Sequence, residues 1–555
     1  MNFDFIKKHS DIFTFLGLCI IFYLIFFFGI GSYPLMDIDE TRYASMAHDM
    51  FKSKDFMTLY LNGEYFFEKP PLYFWLECLS FGLFGKVSEF TVRFPFAMLG
   101  TLTSFLVYFI GKKVVSRKFG IISSLILATS AEFFILSKFA ILDIVLCFCT
   151  AFSIFFGFMT LFCEEKNKKY FWWLFYIFSG LAVLAKGIPG FVLPFGTMFF
   201  AYITAKKFKE LFKPIFFVPG TLIFLAIVIP WHVLMLQKHD PLFFNEYIMK
   251  HHIARFTTSA DLGRKQPFYF FFLTILVGFF PWIIPFIANC KNLAFKIIQV
   301  FKGGFDFEKF NNIQKFMTLN AIAAILTLVF FSASSSKLVT YILPIYPFLA
   351  CITAKTVIDL ETYKKEEYNF FISLTTPVLG IIFIIAGLAI PYIIMPFFPS
   401  EIENFAFKLV PFAPIFFIGG ILLLFFSIKN YRKQLFFSAV AIMTALSSIG
   451  IPTAFNFDYL FGQNDLMKFA KYAKENNCQL ASFGFGRRFS LNYYYGKHVI
   501  YEQFPLYDRL NNLLKDKNTV IVVKNKDLEE YKKQADFDVI NSGSDIKYSL
   551  IKGRE

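Results

Sequence analysis

The chain has 555 residues, 56% hydrophobic and 21% aromatic, with 84 Phe and a mean hydropathy of +0.55. Apolar residues at that density, gathered into long runs, exclude a water-soluble globular protein of this length and indicate a polytopic membrane protein. The formal net charge of +15 sits largely in short loops between the runs, so it speaks for membrane orientation and not for a nucleic-acid partner.

Lys7 and Lys8 precede the first apolar run. That run is too long for a signal-peptide core and lacks an A-x-A cleavage site, so an uncleaved first span with a cytoplasmic N-terminus is expected. Apolar runs then fall near residues 11–31, 92–110, 119–136, 140–163, 171–184, 188–204, 214–234, 268–290, 316–334, 340–357, 370–392, 411–428 and 434–452, about 13 transmembrane helices. The connections Lys112–Lys118, Glu164–Lys169, Lys206–Lys213, Lys291–Lys315, Lys355–Glu367 and Lys429–Lys433 each carry several Lys or Arg. The positive-inside rule makes these cytoplasmic and puts the alternate loops, with the C-terminal segment, on the outer face. Five of the eight Cys (Cys19, Cys147, Cys149, Cys290, Cys351) lie inside apolar runs and no CxxC pair occurs, which reads as buried small hydrophobes.

The first outer loop, residues 31–89, opens on Met36–Met50, with Asp37, Asp39, Glu40, Arg42 and Asp49. Tyr43, Met46, Ala47 and Met50 recur at helical spacing, so Thr41–Met50 is expected as an amphipathic helix at the membrane interface. A solvated loop with incidental charge is the alternative. Further along, Glu68 and Lys69 stand between aromatics ahead of Pro70 and Pro71, which stop any helix. Charge among aromatics is costly unless paired or used. Asp143 begins an apolar run, where an ionisable group is a site candidate, although a carboxylate at a helix N-terminus also suits the dipole. Later outer loops carry His251, His252 and Arg255, then Lys337 and Tyr341.

Residues 457–555 change character. Helix-like stretches (Asp465–Asn476, Pro505–Lys515, Lys526–Gln534) alternate with strand-like ones (Gln479–Phe483, Thr519–Val523, Asp538–Asn541), which predicts a small soluble α/β domain. Arg487, Arg488 and Tyr493–Tyr495 read as polar surface with core aromatics. Residues 1–456 then form the transmembrane domain.

Asp-Glu-Thr-Arg-Tyr-Ala at 39–44, Phe-Glu-Lys-Pro-Pro at 67–71, Leu-Asp at 142–143, His-Ile-x-Arg-Phe at 252–256 and Ser-Lys-Leu-x-Thr-Tyr-Ile-Leu-Pro at 336–344 come in a shared order. In that set the chain resembles the bacterial relatives of the protein O-mannosyltransferases, above all the lipid A 4-amino-4-deoxy-L-arabinose transferases of the GT-C fold. The resemblance implies a multi-pass enzyme of the bacterial inner membrane. It implies transfer of aminoarabinose or a related amino sugar from an undecaprenyl-phosphate donor to lipid A at the outer face. By the same resemblance Asp39 is the principal catalytic carboxylate, with Glu40 beside it and Asp143 as the second acidic group. Lys69, Arg255, Tyr341 and Lys337 fall to the carrier phosphate. Glu68 with His251 or His252 is the candidate set for a divalent metal, the one cofactor suggested. Transfer to protein hydroxyls or another envelope glycan is the alternative acceptor reading. A polyprenyl-lipid transporter fits less well, because the ionisable residues cluster on outer loops and no repeated halves occur.

Overall fold

In the computed structural model, residues 10–254, 266–288, 307–362, 369–397, 410–455, 463–542 and 547–554 are described. Two compact units divide the chain. One comprises Met1–Phe28, Phe67–Tyr73 and Phe96–Ile451, and the other Gly29–Phe66, Phe74–Pro95 and Pro452–Glu555.

Long apolar runs become helices because lipid offers no partner to an open backbone amide, and a helix satisfies its own. Among the described residues seven helices are long and apolar enough to span a bilayer: Glu89–Val114, Leu142–Met159, Pro214–His239, Asn312–Ala333, Val339–Leu360, Ile372–Ile390 and Arg432–Ala454. The run expected near 119–136 is a pair, Arg117–Ala128 and Ala131–Lys138, bent by 64°. Shorter apolar helices cover Asp11–Phe27, Leu72–Phe84, Ile188–Thr204 and Phe412–Ile428.

The first unit is a helical bundle whose contacts are aromatic or very close. Phe148, Phe152 and Phe156 of the Leu142–Met159 helix meet Phe178 at ring-centroid distances of 5.8, 4.8 and 5.7 Å. Offset and edge contacts of this kind add to the packing energy beyond buried area. The Asn369–Phe397 and Phe412–Ile428 helices touch backbone to backbone, and a Cβ on Gly420 would lie 2.6 Å from the carbonyl oxygen of Gly380. Small residues permit that approach, which matters where lipid removes the hydrophobic drive between helices. One polar pair lies inside the bundle where Tyr346 donates its hydroxyl to Glu132 Oε2 at 2.5 Å.

Two helices of this bundle contain π-helical turns, Tyr23–Phe27 and Leu446–Gly450. Such turns shift the backbone ladder and leave carbonyls needing other donors. Ser447 Oγ donates to the Ile25 carbonyl at 2.7 Å and Ser448 Oγ to that of Leu24 at 2.9 Å. Lys138 Nζ closes the seam, donating to the carbonyls of Phe28 (2.8 Å) and Ser447 (2.6 Å).

The second unit contains the Asp39–Ser53 helix, which starts two residues before the expected Thr41 and ends three after Met50. Tyr43, Met46, Ala47 and Met50 are buried, as their spacing predicts. A hairpin follows, β1 (Tyr60–Leu61) against β2 (Glu64–Tyr65). Its turn residues Asn62 (φ +54°) and Gly63 (φ +86°) both take the left-handed region, as a two-residue hairpin requires. The C-terminal part holds a five-stranded sheet: β3 (Gln479–Phe483), β4 (Ile500–Glu502), β5 (Thr519–Lys524), β6 (Phe537–Ser542) and β7 (Tyr548–Gly553), in the order β4-β3-β5-β7-β6. β3 runs parallel to β4 and β5, while β7 is antiparallel to β5 and β6. Its core includes Phe483, Leu510, Ile521, Val523, Phe537 and Ile551. Tyr493–Tyr495 are buried in the Phe489–Tyr495 helix, so they are core aromatics.

Candidate active site

Three of the four carboxylates in the acidic stretch, all within the second unit, have different surroundings. Asp37 accepts from the Ser490 amide (2.9 Å) and hydroxyl (2.7 Å), which ties it to the C-terminal part of the chain. Glu40 is 2% exposed and both its oxygens are taken. Arg93 donates from Nε to Oε1 at 2.9 Å and from Nη2 to Oε2 at 2.8 Å, and the Met36 amide donates to Oε2 at 2.9 Å. Arg93 spends its remaining reach on the carbonyls of Ile30, Tyr33 and Pro34, each at 2.8 Å. A bidentate fork of this kind fixes a loop in one geometry. Asp39 differs: its side chain is 55% exposed and contacts Arg42 at 3.0 Å. It stands in the first turn of its helix, where the dipole favours the anion.

The first unit holds a cavity of about 90 Å³. Glu68, Lys69 and Pro70 form one wall, Lys186, Ile188 and Pro189 another, and His251, Phe330, Phe331, Ser334, Ser336 and Tyr341 the rest. The sequence brings these together by local means. Pro70 and Pro71 keep 66–71 free of helix until Leu72, so Glu68 and Lys69 lie on a bent, non-helical segment. Gly187, at φ +68°, turns the chain between the Glu165–Lys186 and Ile188–Thr204 helices and leaves Lys186 at a helix end. Tyr341 lies in the 3₁₀ segment Val339–Ile345, which Pro344 suits.

Asp143 is buried and paired with Lys186. The Lys186 ammonium also lies 3.8 Å from the Tyr341 ring centroid. One cation thus links an acid, a phenol and the cavity wall. The Asp143 segment is joined to the Lys69 segment as well, for Tyr73 donates its hydroxyl to the Ala140 carbonyl at 2.8 Å. Lys337 is not among the residues lining this cavity. Its ammonium donates to the carbonyls of Ser334 (2.6 Å) and Gln266 (3.1 Å), which braces the loop beneath Tyr341. Burial holds its pKa below the ordinary lysine value.

Of the metal candidates, Glu68 and His251 share the cavity. His252 belongs to the same helical segment, Phe244–Ala254. Among the described residues no group of three His, Cys, Asp or Glu side chains is gathered closely enough to hold an ion. Arg255 lies outside the described residues.

Sequence reasoning had not singled out Lys186 or Arg93 as site residues. Each is a lone cation within or at the edge of an apolar run, a position that is expensive unless used or paired, and that was the available signal.

An acid–lysine–phenol cluster beside a second lysine, on a bundle of membrane helices, suits the departure of an anionic phosphate from a sugar. Two solved structures share the architecture. ArnT from Cupriavidus metallidurans bound to undecaprenyl phosphate superimposes with a TM-score of 0.74 at 18% identity, over 99% of this chain and 100% of that one. The archaeal oligosaccharyltransferase AglB from Archaeoglobus fulgidus gives 0.51 at 12% identity, over 94% and 70%. The fold is therefore that of the GT-C integral-membrane glycosyltransferases.

A family profile described as dolichyl-phosphate-mannose-protein mannosyltransferase matches residues 11–243. A protein of Aquifex aeolicus (strain VF5), itself uncharacterized, is 30% identical over 430 residues, 77% of either chain. The undecaprenyl phosphate-alpha-4-amino-4-deoxy-L-arabinose arabinosyl transferase of Yersinia pestis (strain Pestoides F) is 26% identical over 404 residues, 71% of this chain and 69% of that one. The chain belongs to the family of membrane glycosyltransferases that unites the protein O-mannosyltransferases with these arabinosyl transferases, enzymes that use polyprenyl-phosphate-linked sugar donors.

Proposed function

We propose that this enzyme transfers an amino sugar, aminoarabinose or a close relative, from undecaprenyl phosphate to lipid A at the outer face of the inner membrane. The observation that carries the reading is the cavity that gathers Lys69, Lys186 and Tyr341 beside the buried Asp143. The name of the Yersinia relative and the carrier in the ArnT structure's description support it.

In the reaction the bond from the sugar's anomeric carbon to the carrier phosphate breaks, and its electron pair leaves with undecaprenyl phosphate. A bond from an acceptor oxygen to the same carbon forms on the opposite face. Lys69, Lys186, Tyr341 and Arg255 hold the phosphate and stabilise its growing charge, an electrostatic contribution that needs no reorganisation. Asp143 holds Lys186 in place. Asp39, exposed at its helix start, keeps the catalytic role that the resemblance implies. Glu40 is a positioning residue that acts through Arg93.

The test is mass spectrometry of lipid A from cells with and without the chain, alongside Lys69→Ala and Tyr341→Phe. Each charge-assisted contact is worth about 1.5–3 kcal/mol, or roughly ten- to hundred-fold in rate. Added mass on lipid A that requires the chain and falls in both variants is expected. Unchanged lipid A sinks the acceptor assignment, and parental activity in both variants sinks the phosphate assignment.

The mannosyltransferase profile favours a second acceptor class, hydroxyls. A hydroxyl must lose a proton as it attacks, and a general base supplies roughly 10²–10⁴-fold. Asp39→Asn then loses the acid limb of the kcat/KM profile. With a phosphate acceptor the residual activity keeps that limb.

A further inference from the structure

A second cavity, of about 140 Å³, lies within the helical unit. Its lining comes chiefly from the Tyr346–Thr362, Asn369–Phe397, Phe412–Ile428 and Arg432–Ala445 helices. Most of the wall is hydrocarbon: Phe280, Leu379, Phe383, Leu423, Phe436 and Met443. The lining also includes Ser427, Asn430 and Arg432. These three lie in or beside the turn Lys429-Asn430-Tyr431-Arg432-Lys433, which carries three cations and no acid. Lys429 and Lys433 are exposed, and the Arg432 guanidinium donates to the Leu360 carbonyl of a neighbouring helix. No residue of this cavity lines the Lys69 cavity.

Hydrocarbon walls under a cationic rim match an acyl chain beneath a phosphate headgroup. We propose that this cavity binds one anionic glycerophospholipid, with a chain among Leu379, Phe383 and Met443 and its phosphate at the Lys429–Lys433 turn. The sugar carrier has its own cations around Lys69, so the occupant here is a bulk membrane lipid. A basic residue near a lipid surface is worth roughly fivefold in binding an extra negative charge. Neutralising two of them costs roughly 25-fold, and a zwitterionic lipid does not feel the change.

Trp282, buried in the cavity wall, supplies the probe. The full chain in detergent is titrated with brominated phosphatidylglycerol or brominated phosphatidylcholine. The Trp282 signal is the difference between the parent and Trp282→Phe. Quenching by the anionic lipid is expected at roughly 25-fold lower concentration than by the zwitterionic one. The variant Lys429→Gln/Lys433→Gln should lose that preference while transferring sugar at the parental rate. Ala439→Phe, which puts a ring into the cavity, should lose quenching by both lipids; gel filtration and circular dichroism establish that it folds. Equal quenching by the two lipids overturns the headgroup assignment. Persistent quenching in folded Ala439→Phe overturns the cavity, and displacement by undecaprenyl phosphate at lower concentration than by phosphatidylglycerol makes the carrier the occupant. The quenching outcomes do not depend on the sugar-transfer assignment.

Discussion

Replacing Lys186 with methionine keeps most of the side chain's length and removes the charge that faces Asp143. The two side chains are 12% and 7% exposed, so neither has bulk water to fall back on. Breaking a buried pair from one side leaves the other charge uncompensated, at a cost of about 3–5 kcal/mol. The pair adjoins a cavity, which favours the lower end, about 3 kcal/mol. Loss of the contact with the Tyr341 ring adds roughly 0.5–2 kcal/mol. Asp143→Asn should cost a similar amount by stranding the ammonium. The double variant strands nothing, so its loss should fall short of the sum by about 1–3 kcal/mol. Unfolding in mixed micelles of mild detergent and dodecyl sulfate measures all four forms. Sugar transfer, measured in parallel, should stay low in all three variants, because none of them keeps the Lys186–Asp143 pair that is proposed to act on the phosphate. Single effects that simply add, to within about 0.5 kcal/mol, would show that Lys186 and Asp143 do not act together and would remove the core of the site.

Glu40→Gln should destabilise the protein by about 3–5 kcal/mol, since Arg93 is then a fully buried cation without its anion; equal unfolding midpoints for variant and parent would contradict this. His48 titrates below its ordinary value of 6.5 through burial, then repulsion from Lys52 and Lys474. As pH falls below about 6.5 the unfolded chain takes up a proton that the folded one resists, so stability drops until the folded value is passed. Thermal midpoints between pH 7.5 and 5 should show a slope that His48→Gln reduces. The loop charges imply an outer C-terminal part, so an alkaline phosphatase fused after Lys552 should be active; an inactive but well-expressed fusion would reverse the orientation.

How much of this was legible in the sequence depends on the range of the interaction. The helices were visible because hydropathy is local, and the buried face of Asp39–Ser53 followed from spacing alone. β3 was bounded correctly as a short, mostly apolar run between polar turns. β4, three residues long, and β7, interrupted by Lys552, offered too little pattern. The site was visible as residue types and invisible as pairs. Asp143 meets Lys186 across 43 positions and Glu40 meets Arg93 across 53, and only packing decides such partners. Glu40 therefore read only as the neighbour of Asp39, and its buried pairing with Arg93 was not visible. The kink between Ala128 and Ala131 was likewise hidden, because both halves are apolar.

The seam between the two π-helical turns has a consequence for biogenesis. Leu24, Ile25 and Phe28 present carbonyls whose donors come from Ser448, Ser447 and Lys138. Ser447 lies 422 positions after Ile25. At roughly 5–20 residues per second of synthesis, the first helix waits on the order of 20–80 s for those hydroxyls to be made. Throughout that interval those carbonyls need other donors, at several kcal/mol for each one that hydrocarbon leaves unbound. The first helix to enter the membrane is thus among the last to be completed, and the nascent chain must shelter it against the insertion machinery or against water at the bilayer surface until the helix carrying Ser447 arrives.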